Sequence, residues 1–377
     1  MPSLRDGKME RVIAIDARMS EHSGIGTYLR NLLTHLAALE NEYVFEVICQ
    51  RREALDGLPP ARFRFVAARS PIYSLSEQWE IARLARHAQI LHSPHYNASL
   101  LYRGNLVVTI HDVIHLSDPT IGRTLAAWFY ARPMFHLVAR KADRIIANSE
   151  FTKQQIVEHL AVSPSKVSVA YLGVSERFRP QDRKEALSRV SFLLGVSRPY
   201  ILFVGNLKPH KNVKTLIRAF AQICAHSAFD LQLVILGDDR KWKAGLVDES
   251  MSLGLGERVI FAPHAPRQDL PWVYAAAEIL VMPSLIEGFG LPVLEAMACG
   301  TPVVCSRAAS LPEVAGEAAE YFEPASVDDL AMAMERVLRS SQLQVTLRSK
   351  GLERAKLFSW EEFARRHCEV YREALGT

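Results

Sequence analysis

At 377 residues the chain is too long for one ordinary hydrophobic core, so two domains are expected. Its 49% hydrophobic and 23% charged residues exclude a disordered or fibrous chain. The formal net charge of +4 is uneven, with 22 Lys/Arg against 17 Asp/Glu in residues 1–180 and 23 against 24 in residues 181–377. A basic first half suits an anionic surface or acceptor, although a solvated face explains so modest an excess equally well. No Lys/Arg cluster is interleaved with aromatics, so nucleic acid is not an expected partner.

The five cysteines, Cys49, Cys224, Cys299, Cys305 and Cys368, include no C-x-x-C pair. They read as reduced thiols of a cytoplasmic protein, not as a disulfide framework or zinc site. The first residues, MPSLRDGKMER, carry charges throughout and do not read as a secretory signal. No apolar run approaches the ~18 residues of a membrane span. The expectation is a cytoplasmic chain, with room for peripheral contact at the inner face of the cytoplasmic membrane.

Taken in order, Arg11–Ile15 is the first strand, followed by Asp16 and a loop, SEHSGIGTY, that opens a helix running to about Leu39. Strands follow at Tyr43–Cys49 and Phe63–Val66, then an amphipathic helix at Leu75–Arg86. Further strands are expected at Ile90–His92, Leu106–Ile110, Arg144–Ala147 and Lys166–Ala170. Helices fit at 122–140, with a break near Pro133, and at 149–160. Strands alternating with helices indicate a parallel sheet covered on both faces. The polar run SERFRPQDRKEALSRV reads as an interdomain linker at 181–197. A second alternating set follows, with strands at Tyr200–Val204, Leu231–Leu236, Val259–Phe261, Ile279–Met282 and Pro302–Cys305. Helices begin at about Val213 and span about 327–339 and 358–374. The fold class expected is α/β: two doubly wound, Rossmann-like domains, 1–180 and 198–357, with ligands at the carboxyl ends of the strands and in the cleft between the sheets.

The run Pro283–Pro302, PSLIEGFGLPVLEAMACGTP, is the most informative stretch. Pro292 suits a first helical position and Gly300 a helix stop, so a helix is expected over Pro292–Ala298. The N–H groups of Gly288, Phe289, Gly290 and Leu291 would gather at its start, where unpaired donors and the helix dipole favour an anion. Glu287 and Glu295 flank that anion site. Carboxylates repel phosphate but accept hydrogen bonds from sugar hydroxyls. A plain strand–loop–helix turn with two solvated glutamates would explain the E-x7-E spacing alone; the surrounding strand, glycines and proline favour a ligand site.

The residues Glu287–Val303, with SGIGTY at 23–28, TIHD at 109–112, GNLKPHKN at 205–212 and FSW at 358–360, resemble the family 4 retaining glycosyltransferases. DAR…GIGTY, SPHY and HDVIHL are most similar to mannosyltransferases of surface-polysaccharide synthesis. The resemblance implies the GT-B fold and a C-terminal helix, 358–377, that crosses back to the first domain. It implies a nucleotide sugar, GDP-mannose by preference, bound by the second domain, and a saccharide or polyprenol-linked acceptor bound by the first. Glu287 would contact donor-sugar hydroxyls and Glu295 the ribose, while amides of Phe289, Gly290 and Leu291 serve sugar and phosphate. Lys211 would neutralise the departing diphosphate, and Gly205 would let the backbone approach the ligand. Relatives carry an arginine at the position of Asn206 or of His210, and this chain has it at neither; a charged His210 could replace it. From spacing alone His111 reads as a core histidine with a satisfied N–H, but it matches the family histidine that approaches the donor sugar, and the resemblance implies a catalytic role for it with Glu287 and Lys211. Asp112 reads as a turn residue.

Gly24, Ile25 and Gly26 would lie near phosphates and acceptor. As a dinucleotide fingerprint that loop fails, because Leu29 stands where the third small residue belongs. His92, His95, His111 and His115 could be mistaken for a metal cluster, but no metal and no cofactor is expected, since GT-B enzymes use protein cations and helix dipoles. Gly237, Asp238 and Phe261–His264 would flank the base. Residues 122–144, with Trp128, Phe129 and Tyr130 among Arg123, Arg132, Arg140, Lys141 and Arg144, suit either a membrane interface or a core-facing helix. The alternatives are a UDP-sugar-dependent enzyme of the same fold, a nucleotide-sugar epimerase, or an inactive sugar-nucleotide-binding relative.

Overall fold

A computed structural model describes the chain except residues 1–3, 6–7, 10, 56, 60–61, 118–124, 227–228 and 377. The chain forms two units, Met1–Gly173 with Trp360–Thr377, and Val174–Ser359.

In the first unit a two-stranded antiparallel pair, β1 (Leu4–Arg5) and β2 (Lys8–Met9), precedes a seven-stranded sheet. Its strands are β3 (Arg11–Asp16), β4 (Tyr43–Cys49), β5 (Phe63–Ala67), β6 (Ile90–Ser93), β7 (Asn105–Ile110), β8 (Arg144–Ala147) and β9 (Val167–Val169). All pair in parallel, in the order β5-β4-β3-β6-β7-β8-β9. Near-continuous apolar runs such as LVVTI and RIIA suit strands covered on both faces. The helices are α1 (Ser23–Ala38), α2 (Leu75–Leu84), α3 (Ile114–Ser117), α4 (Leu125–Lys141) and α5 (Glu150–Leu160). Ser74 and Ser149 cap α2 and α5 by accepting from the N–H of Glu77 and Thr152. Helix α4 runs through Pro133, where a break was expected. Arg123 lies outside the described residues, as do the side chains of His115, Trp128, Phe129 and Tyr130.

The second unit opens with α6 (Arg183–Leu194). Its sheet contains β10 (Tyr200–Val204), β11 (Gln232–Leu236), β12 (Val259–Ala262), β13 (Ile279–Met282), β14 (Val303–Ser306) and β15 (Ala319–Phe322). These are parallel in the order β12-β11-β10-β13-β14-β15. The helices are α7 (Val213–His226), α8 (Arg240–Ser252), α9 (Leu270–Ala276), α10 (Leu291–Ala298), α11 (Leu311–Ala315), α12 (Val327–Arg339) and α13 (Ser341–Ala355). The last helix, α14 (Trp360–Leu375), belongs to the first unit.

The expected linker at 181–197 is corrected here. It holds α6, capped by Asp182 and stopped at Gly195 in the left-handed region, with Ala186 and Val190 buried. Arg189 pairs with Asp269 and stacks over Trp272, tying α6 into the second unit. The chain passes between units at Gly173–Val174 and again at Ser359–Trp360.

A directed hydrogen-bond chain docks α14 on the first sheet. The Phe363 carbonyl can only accept, so His367 Nδ1–H donates to it at 2.7 Å. Burial without an anionic partner keeps the ring neutral, so His367 Nε2 accepts from Tyr28 O–H at 2.6 Å. Tyr28 in turn accepts from Thr109 O–H at 2.7 Å, and Thr109 from His92 Nε2–H at 2.9 Å. His92 Nδ1 then accepts from Tyr371 O–H at 2.8 Å. Phe363, His367 and Tyr371 repeat every four residues and share one buried helix face.

Desolvation holds the His367 pKa down to about 4 and the His92 pKa well below its ordinary value. An unfolded chain with histidine pKa near 6.5 therefore takes protons first as pH falls. The stability that depends on neutral rings is complete above pH ~6.5 and is lost between there and about pH 4, on the order of 3 kcal/mol for His367. Thermal midpoints measured from pH 7 down to pH 4.5 should fall steeply. His367→Gln, which can accept from Tyr28 without titrating, should flatten that slope; equal slopes would remove His367 from the account.

Candidate functional site

In the second unit the strand order reverses between β10 and β13. The loops that leave these neighbouring strands, 205–212 and 283–290, therefore rise side by side at their carboxyl ends, where open α/β sheets bind ligands. Leu285 N–H donates to the His210 carbonyl at 2.8 Å and joins the two loops. Asn212, in the left-handed region at φ 56°, donates to the Pro324 carbonyl and accepts from Thr215, which fixes the end of the first loop. Two serines fix the second loop: Ser306 donates to the Ser284 carbonyl and Ser310 to the Glu287 carbonyl.

This framework sets Lys211 Nζ 2.5 Å from Glu287 Oε2, with both side chains only about one-eighth exposed. Ser284 O–H donates to the same carboxylate oxygen at 3.0 Å. An ammonium has three hydrogens, so the ion pair leaves Lys211 two donors and leaves Glu287 Oε1 as an acceptor. The sequence placed the two residues in one site; their pairing with each other, 76 positions apart, is the structure's addition.

Helix α10 begins one residue ahead of its expected start, behind Gly290 at φ 98°. A Cβ at Gly290 would lie 2.7 Å from Leu311 Cδ2, in a backbone conformation that L residues rarely adopt. The Gly290 and Leu291 N–H groups stand where no intrahelical acceptor exists. Phe289 is buried, with its ring edge-on to Phe358, and anchors the loop while Gly288 is half-buried beside it. Across the sheet, a Cβ on Gly237 would sit 1.7 Å from the Gly205 carbonyl oxygen, so the ends of β10 and β11 can approach only at glycine. Asn206 is exposed and closes a turn by accepting from Lys208 N–H, whereas His210 is 7% exposed.

Glu295, one turn into α10, accepts from Tyr274 O–H at 2.7 Å. Desolvation pushes its carboxyl up to about 7, against the lowering effects of the Tyr274 bond and of Arg177. Neither Tyr274 nor Ser284 was singled out in the sequence.

In the first unit, His111 leaves the end of β7. Its Nε2 lies 2.8 Å from the Pro94 carbonyl and its Nδ1 2.8 Å from Asn148 Nδ2. With His95, Tyr96, Ile110, Asp112 and Phe135 it lines a pocket of about 50 Å³. Asp112 accepts from Ile114 N–H, the turn role its position suggests. Gly24, Ile25 and Gly26 form the first turn of α1; Gly24 is exposed, while a Cβ on Gly26 would meet the Ser20 carbonyl at 2.2 Å. Tyr28 of the same motif is a core residue of the hydrogen-bond chain. Arg18, missed as a site neighbour, is buried between Asp16 at 2.7 Å and Glu77 at 2.9 Å. His92 and His111 each have both ring nitrogens engaged by protein atoms. Among the described residues no group of three or more His, Cys, Asp or Glu side chains could hold a metal ion, and none of the helices is long and apolar enough to cross a membrane.

Two Rossmann-like units, with the last helix returned to the first, define a GT-B-type protein. Solved structures share that fold: sucrose-phosphate synthase from Thermosynechococcus elongatus (21% identity, TM-score 0.78, 97% of this chain and 100% of that one) and Anabaena HepE in complex with UDP-glucose (19%, 0.79, 96% and 99%). Residues 186–354 match the family described as glycosyl transferases group 1, and residues 22–178 match glycosyltransferase family 4. Similar sequences include the O-antigen chain mannosyltransferase B of Escherichia coli, 30% identical over 71% of this chain and 70% of that one. The MMP alpha-(1->4)-mannosyltransferase of Mycolicibacterium hassiacum is 33% identical over 66% and 58%. The D-inositol 3-phosphate glycosyltransferase of Mycobacterium marinum is 30% identical over 79% and 66%. The chain belongs to the family 4, group 1 glycosyltransferases.

If Glu295 receives a ribose hydroxyl, as the sequence leads one to expect, its carboxylate form is the stronger acceptor and its protonated form the weaker. Affinity for a nucleoside diphosphate, measured by calorimetry, should then hold above pH ~7 and fall below it, by at most about tenfold per unit. Glu295→Gln should bind weakly without that slope; an unchanged slope would take Glu295 out of the ribose site.

Proposed function

We propose that the chain is a retaining hexosyltransferase that moves mannose from GDP-mannose to a saccharide acceptor in polysaccharide synthesis. The observation that carries this reading is the Lys211–Glu287 pair beside the start of α10. There a cation and helix-start donors can receive a diphosphate, while Glu287 Oε1 and Glu295 can accept from hydroxyls. Support for mannose comes from two relatives named as mannosyltransferases. A UDP-hexose is the second reading, favoured by the likeness to HepE with UDP-glucose.

In the proposed reaction the bond from the anomeric carbon to the diphosphate oxygen breaks. The acceptor oxygen bonds to that carbon on the same face, and its proton passes to the leaving phosphate oxygen. Lys211 and the α10 amides stabilise the negative charge that builds on the diphosphate. Glu287 holds the sugar by its hydroxyls. Asn206 and His210 remain candidates beside Lys211 for the phosphates, and Gly24, Ile25 and Gly26 for the acceptor. No metal is assigned a step.

A thermal-shift panel of nucleotide sugars, followed by single-turnover transfer with the best binder, tests the donor. The largest shift should come with GDP-mannose, and a UDP-sugar in that place selects the second reading. Glu287→Gln, which keeps a neutral acceptor for Lys211, should slow transfer by about a hundredfold or more. Lys211→Ala should weaken nucleoside diphosphate binding by about tenfold or more. Transfer should persist in EDTA. Normal turnover in the glutamine variant, or a strict divalent-metal requirement, would overturn this mechanism.

We also propose a polyprenol-linked acceptor and a peripheral membrane contact. Support lies on α2, where Leu75 is 84% and Trp79 73% exposed, one turn apart, with exposed Arg83 a turn further on. That combination suits an anionic lipid interface. The protein should sediment with phosphatidylglycerol vesicles and not with phosphatidylcholine vesicles. Leu75→Glu with Trp79→Glu should abolish this; equal sedimentation of the double variant would move the contact elsewhere.

A further inference from the structure

We propose that Asn148 is a positioning residue that holds His111 as a neutral imidazole with its proton on Nε2, so that the ring takes no proton from the acceptor hydroxyl. The inference rests on the glycosyl-transfer reading and adds to it which group is excluded from proton transfer.

The polarity follows from the partners. The Pro94 carbonyl, 2.8 Å from His111 Nε2, has no hydrogen to give, so Nε2 must carry one. A neutral ring then has its lone pair on Nδ1, and Asn148 Nδ2 donates to it at 2.8 Å. Asn148 is 3% exposed, and its Oδ1 is buried with no hydrogen-bond partner. The side-chain bond that the amide does make goes from Nδ2 to the lone pair through which a base would act. Ser149, next in sequence, is committed to capping α5, which fixes the backbone that presents Asn148.

The surroundings favour the same state. Tyr28 packs edge-on against the His111 ring, with centroids 4.9 Å apart. Behind Tyr28 lie His92 and His367, buried and neutral, so they offer no anion to stabilise an imidazolium at His111. His95 lines the same pocket. Burial holds the His111 pKa below its ordinary value, against the Pro94 carbonyl, Asp112 and an Asn148 amide turned to present its oxygen, each of which favours the charged form. With both nitrogens engaged, His111 can offer a bound sugar its ring carbons or its main chain, and no free base.

The test is a histidine tautomer spectrum. Two-bond nitrogen–proton correlations on ¹⁵N-histidine-labelled protein, with His111 assigned by His111→Gln, should show the Nε2–H form, neutral at pH 7 and with a midpoint below the ordinary histidine value. Asn148→Asp replaces the donor with a carboxylate that accepts from Nδ1–H. It should raise the His111 midpoint by about one unit or more. It should also slow transfer near neutrality with donor KM within about twofold, the rate recovering as pH rises and the ring deprotonates. An Nδ1–H or doubly protonated ring in the unmodified protein at pH 7 would overturn the inference. So would an Asn148→Asp protein whose His111 midpoint and pH–rate profile are unchanged. The spectrum of the unmodified protein needs no substrate, so it reads out even if the chain transfers a different sugar.

Discussion

The second unit depends on one ion pair, Lys211 to Glu287, formed where two loops leave adjacent strands. Both groups are largely desolvated, and removing one partner of such a pair leaves an uncompensated charge at a cost of about 3–5 kcal/mol. That penalty makes the two loops interdependent. Asn212, Thr215, Ser284, Ser306 and Ser310 are then supports for the pair, since each fixes backbone or carboxylate on one side of it. Evolution could have filled the place with apolar side chains, which are often at least as stabilising. A charged pair beside a helix start makes sense if its remaining hydrogens and lone pairs are meant for a ligand.

The first unit solves a different problem with neutral groups. Helix α14 reaches it only after the whole second unit has been made, and its docking must be specific. An apolar face alone would tolerate slippage by a turn. The chain from Tyr371 through His92, Thr109, Tyr28 and His367 to the Phe363 carbonyl has one direction and no spare hydrogen. A shift of α14 by one turn would leave several buried polar groups unpaired, which low-dielectric surroundings penalise heavily. Tyr28 thus explains part of the SGIGTY motif by packing, while Gly24 in the same motif is exposed.

The parts legible in the sequence were those that rest on local chemistry. Apolar runs marked all but β15 of the strands in the two large sheets, and Pro292 with Gly300 marked α10 to within about a residue, because both signals act within a few positions. The segment 181–197 misled because its charge outweighed its pattern. Ala186 and Val190 at helical spacing, with Asp182 before them and Gly195 after, were the signals of a helix. Helix α13 was missed because it buries only the narrow stripe Leu347, Gly351 and Ala355. The sequence singled out Lys211, Glu287, Glu295 and His111, but not the partners that engage them. The partners Tyr274, Asn148 and Glu77 lie tens of residues from the groups they contact, and nothing local announces them.

One consequence concerns where pH can act. In the first unit the histidines around β7 are held neutral by burial, and His111 has its lone pair occupied. At the donor loops, Glu295 is the carboxyl that burial moves into the neutral range. Glu295, for which we propose a ribose hydroxyl as partner, lies a helical turn beyond the start of α10. In the mechanism we propose, a pH dependence near neutrality enters through donor binding, while the proton released by the acceptor finds its base on the departing diphosphate. In such a site the protein supplies fixed charge and fixed geometry, and the substrate supplies the base.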